Sequence, residues 1–386
     1  MSPTENDRLT DPSTITVAET DDAAMATSVP ADPPARAGKN IVMCLDGTAN
    51  QIVVGRNTNV VKLFRAIDFT EGRQLAYYDP GVGTFASTRV WSAPGRFASK
   101  MLGRAFGLGL KTNLAEAYTF LMNNWEPEDR IFIFGFSRGA FTARALAGLL
   151  HTVGIPRRSS ENLIQYAIGN YAGRGKWTDK DQAEVEEFQR TVCRQPTQPD
   201  DKLVDSFSVP IAYMGLWDTV NAPGILRRSL SFANSDTLQN VRAGRHAVSI
   251  DERRRPYRER LVQTTAIQEA WFAGVHSDVG GGFTRDALGD ISLLWILRGA
   301  HAAGIDLRAK AELRELPTRT QSTWAIAPVH RNSRVWVLAT YRRRSARQAC
   351  IHPSVAVRRE HHPGYASHLG STTVFDEDWL DDSWQR

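Results

Sequence analysis

Three side chains far apart in the chain, Ser137, Asp218 and His276, have the types, order and settings to make a reactive hydroxyl. A serine hydroxyl is a poor nucleophile near neutral pH; it needs a base within hydrogen-bond reach and an acid that holds that base in the right tautomer. Ser137 sits in G-F-S-R-G (Gly135 to Gly139), after the apolar run Ile131 to Phe134 and before an Ala-rich helical pattern. That is the setting of a nucleophile elbow, in which a strand delivers serine to a tight turn between glycines that leave room for crowded backbone. The competing reading is a serine that merely caps a helix. Elbow chemistry takes the chain order serine, acid, histidine, each at a strand end. Asp218 follows I-A-Y-M-G-L-W (Ile211 to Trp217), and His276 follows W-F-A-G-V (Trp271 to Val275). Asp278 competes for the acid role but is so close to His276 in sequence that bracing the loop suits it better. The other histidines fit less well: His151 ends the helix after Ser137, His246 is expected mid-helix, His301 nears a helix end, and five more fall late in basic or loop contexts.

Attack on a carbonyl also needs donors for the developing oxyanion. The backbone N–H of Arg138, at the start of the helix, is one; Gly47, in Asp46-Gly47-Thr48 after an early strand, is the other. Asp46 would oppose an oxyanion and is expected to hydrogen-bond loop backbone instead. A metal site from Asp46, Asp218 and Asp278 matches no ligand spacing, so neither metal nor cofactor is expected. D-P-G-V-G-T (Asp79 to Thr84) lacks the Lys and Ser/Thr of a Walker loop and reads as a rim loop.

The elements that must position these groups alternate between strand and helix, which predicts a mostly parallel sheet with helices on both faces. Residues 1–38, rich in Thr, Ala, Asp and Pro, read as a disordered leader. A catalytic domain over 39–370 follows. The run Ile41 to Leu45 predicts a doubly buried strand, and Val60 to Ile67 a helix. Further strands are expected at Gln74 to Tyr78, Ile131 to Phe134, Val209 to Leu216 and Ala270 to Val275. Further helices are expected at Leu110 to Trp125, Phe141 to Leu150, Leu238 to Ile250 and Ile291 to Ala303, with a late strand at Arg334 to Thr340. Residues 156–208, with a polar helix at Asp179 to Val192, read as an insertion or lid over the acyl site. Residues 371–386 read as a mobile acidic tail.

The chain has 386 residues, 42% of them hydrophobic, enough for a large α/β core. Its net charge of +5 is spread out, not gathered into a nucleic-acid stripe. The runs Arg253 to Arg255 and Arg342 to Arg344 read as solvated faces. Three widely spaced cysteines exclude a disulfide framework and suit a reducing compartment. With no signal peptide and no apolar span, the expected location is the cytoplasm, with signal-free secretion as the alternative.

Six segments carry a resemblance: L-D-G-T-A-N (Leu45 to Asn50), Y-Y-D-P-G-V-G-T (Tyr77 to Thr84), G-F-S-R-G-A-F-T-A-R (Gly135 to Arg144), G-L-W-D-T-V (Gly215 to Val220), R-H-A-V-S-I-D-E-R-R (Arg245 to Arg254) and W-F-A-G-V-H-S-D-V-G-G-G (Trp271 to Gly282). Together they resemble the α/β-hydrolase domain of the type VI secretion lipase effector-like family, from about Asn40 to about Ala303. The resemblance implies an α/β-hydrolase fold and phospholipase action through Ser137, Asp218 and His276. The chain departs from secreted effectors in carrying little beyond that domain, without an amphipathic anchor. The expected function is cleavage of a lipid or phospholipid ester through an acyl-enzyme. The alternatives are a small soluble ester or thioester as substrate, an idle scaffold for ligand or protein binding, and a peripheral module whose arginines meet anionic lipid.

Overall fold

The computed structural model describes residues 38–47, 55–81, 96–172, 177–196, 207–220, 232–284, 286–308, 321–330, 343 and 348–385. The expected leader, apart from Gly38, and the Arg334 to Thr340 strand lie outside them. The chain runs through β1 (Asn40–Leu45), α1 (Asn59–Ala66), β2 (Gln74–Asp79), α2 (Arg96–Asn124), β3 (Arg130–Phe136), α3 (Arg138–Thr152) and β4 (Ile155–Pro156). It continues through α4 (Ile164–Tyr171), α5 (Asp179–Val192), β5 (Cys193–Arg194), β6 (Ile211–Trp217), β7 (Gly244–Ser249), β8 (Ile267–Phe272) and α6 (His276–Gly280). It closes with α7 (Ala287–Ala302), β9 (Ala349–Ile351), α8 (Pro353–His361) and β10 (Thr372–Val374).

Eight strands form one sheet in the order β10-β9-β8-β7-β6-β3-β1-β2, every pairing parallel. Alternation along the strands explains two cores. Ile41, Met43, Leu45, Ile131 and Ile133 face α2, α3 and α4. Val42, Cys44, Phe132, Phe134 and Phe136 face α1 and α7. Both faces are covered, so the strands carry unbroken apolar runs. From β1 the chain moves outward to β2, then returns to place β3 on the other side of β1. That reversal opens a crevice at the C-terminal ends of β1 and β3, where open α/β sheets place their ligands.

Three expectations need correction. Leu238 to Ile250 is not helical: β7 occupies Gly244–Ser249 and puts His246 inside the sheet. Its polar residues are tolerated there because each finds a partner, Arg245 the Trp295 carbonyl at 2.6 Å and His246 the Glu269 carboxylate at 2.9 Å. The described part of the insertion is fastened to the C-terminal ends of α2 and α3. Gln189 donates to the Thr152 carbonyl, Arg194 to that of Met122, and Asn123 to Glu161. Thr152 ends a 15-residue helix that Ser137 begins, about 20 Å away at the usual helical rise. The tail is docked: β10 pairs with β9, Glu377 holds Arg298 at 2.7 Å and Arg245 at 3.3 Å, and Phe375, Trp379 and Trp384 pack on the second core. Arg343, from the run read as solvated, is fully buried.

Candidate active site

β3 ends in the Ser137 turn, where φ is 59°. A non-glycine residue holds such a backbone only when its surroundings enforce it. The glycines do so by absence: a Cβ on Gly139 would strike the Leu45 and Asp46 carbonyl oxygens, and one on Gly135 would lie 2.7 Å from the Ala140 Cα. The Ser137 N–H donates to the Trp217 carbonyl at 3.0 Å, tying the elbow to the end of β6.

The next residue of that strand end is Asp218, also strained, with φ 41°. Its turn is held from below. Thr219 places its N–H 3.3 Å and its Oγ1 3.1 Å from His246 Nε2, while His246 Nδ1 lies 2.9 Å from Glu269 Oε2. His276 opens α6 after β8. Its ring stacks on Phe136, with centroids 4.6 Å apart, and meets the edge of Tyr257 at 4.9 Å. Gly280 supports this stack, since a Cβ there would run into the Phe136 ring.

These elements bring Ser137, His276 and Asp218 into one line. His276 Nε2 lies 2.8 Å from Ser137 Oγ, and Nδ1 lies 2.6 Å from Asp218 Oδ2. All three are buried, at 6%, 4% and 0% exposure, so water competes little for these bonds. Asp218 also accepts from Ser249 N–H at 2.9 Å, from Ser249 Oγ at 3.1 Å and from both Nη atoms of Arg343. Burial alone would raise the Asp218 pKa; the Arg343 charge and the His276 bond outweigh it and hold the carboxylate well below its usual range. Burial lowers the His276 pKa, with Asp218 and Glu252 opposing and Arg343 adding to the fall. A neutral imidazole with one nitrogen on a hydroxyl and the other on a carboxylate can take the hydroxyl proton.

The other predicted residues fare differently. Arg138 opens α3, where the first N–H groups have no acceptor within the helix. Gly47 lies at the crevice, but its N–H donates to Asp46 Oδ1 at 2.6 Å, so that donor is committed in this state. Asp46 also accepts from Thr58 and Tyr78, at 2.5 and 3.0 Å, and so organises its loop. Asp278 braces the loop as expected, accepting from the Val275 N–H at 3.0 Å, and its other oxygen lies 2.5 Å from His330 Nδ1. Asp46, Asp218 and Asp278 therefore serve three separate partner sets. Sequence reasoning missed Arg343 and Glu252. Glu252 is completely buried, and its Oε2 accepts from the His276 N–H at 3.3 Å. Only the placement of Glu252 beside the Arg253 to Arg255 run offered a signal; the partners of Arg343 are too distant in sequence to be read.

A parallel sheet with a strained serine at the crevice, hydrogen-bonded through a histidine to a carboxylate, has the architecture of the α/β hydrolases. Residues 39–299 match the catalytic-domain model of the type VI secretion Tle1-like phospholipase effectors. The chain belongs to that family, whose catalytic domain is of the carboxylic-ester hydrolase class. An uncharacterised protein of Saccharomyces cerevisiae is 34% identical over 235 residues, covering 58% of this chain and 32% of that one. This chain thus spans about a third of that relative. Among solved structures, an uncharacterised protein from Pseudomonas aeruginosa is 19% identical over 72% of this chain and 48% of its own, with a TM-score of 0.39. The Tle1 effector bound to the VgrG spike of the type VI secretion system is 18% identical over 68% and 56%, with a TM-score of 0.36. Likeness at that level bears on neither substrate nor partner. Among the described residues, no helix is long and apolar enough to cross a membrane.

Proposed function

We propose that the protein hydrolyses a carboxylic ester of a lipid, a phospholipid by preference, through an acyl-enzyme on Ser137. His276 Nε2 takes the Ser137 proton as Oγ attacks the ester carbonyl. Asp218 stabilises the imidazolium, and the Arg138 N–H receives the oxyanion. The tetrahedral adduct expels the alcohol, which leaves with the proton from His276. Water, deprotonated by the same imidazole, then releases the fatty acid and restores Ser137. The observation that carries this reading is the unbroken relay from Ser137 Oγ to His276, at 2.8 Å, and on to Asp218, at 2.6 Å. The family supports the lipid. The Gly47 N–H joins the oxyanion site only if its bond to Asp46 opens.

Purified protein, presented with short p-nitrophenyl esters and with phospholipid vesicles, should release acid, and Ser137→Ala should abolish release. A fluorophosphonate probe should label Ser137. Labelling at another residue, or full turnover by Ser137→Ala, overturns the assignment.

A further inference from the structure

Arg343 is fully buried, and a guanidinium inside a protein is costly unless its donors are satisfied. Nη1 bonds Asp218 Oδ1 and lies 2.8 Å from Ser249 Oγ and 3.1 Å from the Ser249 carbonyl. Nη2 lies 3.0 Å from Asp218 Oδ2 and bonds the Tyr257 carbonyl. Nε is 3.6 Å from Glu259. The fork therefore grips both oxygens of the carboxylate that faces His276, and a two-point grip fixes its plane. It also ties the end of β6 to β7 and to the Tyr257 segment, whose ring contacts the imidazole.

Resting on the reaction proposed above, we propose that Arg343 is a positioning residue: it orients the Asp218 carboxylate toward His276 and offsets the negative charge that the imidazole meets. Among the described residues, few charged and titratable groups lie around that ring. Asp218 faces it from the end of β6, Glu252 and Tyr257 from the segment after β7, and Ser137 from the elbow. Arg254 is held by Glu252 at 2.8 Å, Arg138 starts α3, and Asp278 lies on the same short helix but turns to His330. The carboxylates favour the protonated ring, while burial and Arg343 oppose it. Removing the guanidinium therefore strengthens proton binding, and the acid limb of activity moves to higher pH.

The test is the rate of fluorophosphonate labelling at Ser137 against pH, for wild type, Arg343→Gln and Arg343→Lys, with melting curves as a fold check. In Arg343→Gln the plateau should fall roughly 10- to 100-fold, part of what base catalysis supplies, and the acid limb should shift upward. Arg343→Lys keeps the charge but loses the fork, so its plateau should fall while its limb stays near that of wild type. A wild-type plateau, or a lower plateau with an unmoved limb in Arg343→Gln, overturns the proposal. Should the glutamine variant not fold, the lysine variant decides: an unchanged plateau overturns it, and a lower plateau with an unmoved limb supports it. Wild type unlabelled at Ser137 would instead sink the reaction itself, which separates the two failures.

Discussion

Asp218→Asn asks whether the carboxylate governs the tautomer of His276. An amide must put its NH2 at one of two oxygen sites. At the Oδ1 site it would face the Ser249 N–H at 2.9 Å and an Arg343 nitrogen, both fixed donors. At the Oδ2 site it would face His276 Nδ1 at 2.6 Å and Ser249 Oγ at 3.1 Å, either of which can turn acceptor, beside one Arg343 nitrogen at 3.0 Å. The NH2 therefore settles against His276 and forces Nδ1 to accept. The ring proton moves to Nε2, which then donates to Ser137 and can no longer take its proton. Loss of the base in this way is expected to cost about 10⁴ in rate, equivalent to about 5.5 kcal/mol of barrier. Stability should also fall by about 3 kcal/mol, because Arg343 loses its charged partner. The assay is hydrolysis of a short p-nitrophenyl ester well below the melting temperature, with circular dichroism confirming the fold. A folded Asp218→Asn protein within tenfold of wild type would refute the relay.

Activity should persist below the ordinary histidine pKa and then fall as His276 takes a proton, because its pKa is lowered by burial. The same shift makes the folded state lose stability as pH falls through that range, readable in urea titrations. Lys62 lies 2.7 Å from each of the Asp286 and Asp290 carboxylates. Burial and the neighbouring Asp290 push Asp286 up to about 7, against the pull of Lys62. Lys62→Met should therefore cost about 3–5 kcal/mol at pH 8 and less at pH 5, where the carboxylates gain protons; equal loss at both values would contradict the pairing. Gly139→Ala should destabilise by about 1–3 kcal/mol through overpacking and suppress probe labelling at Ser137, since the new Cβ strikes the end of β1.

The sheet was legible because parallel strands buried on two faces must be apolar throughout, as Ile41 to Leu45 and Ile131 to Phe134 are. The meeting of Ser137, Asp218 and His276 was legible because each follows such a run and the order fits one topology. β7 was misread for the same physical reason in reverse. Arg245 and His246 look solvent-facing until Glu269 and Glu377, distant in the chain, supply their partners. Arg343 was hidden likewise, an arginine in a basic run whose acid lies 125 positions earlier. The tail misled by composition: acidic residues suggested freedom, while Phe375, Trp379 and Trp384 anchor it.

The hydrogen-bonded chain from Glu269 through His246 to Thr219 bolts the underside of the turn that carries Asp218. Acid, base and hydroxyl thus stand assembled before any reactant arrives, and the ordering cost is met during folding rather than at each encounter. The relay of Ser137, His276 and Asp218 has no bond of its own to rearrange when a reagent enters. Rapid mixing with an acylating agent should show one exponential phase, its rate rising in proportion to reagent concentration. Speed would then be governed by how often an ester meets Ser137 and by the proton transfer to His276 that follows.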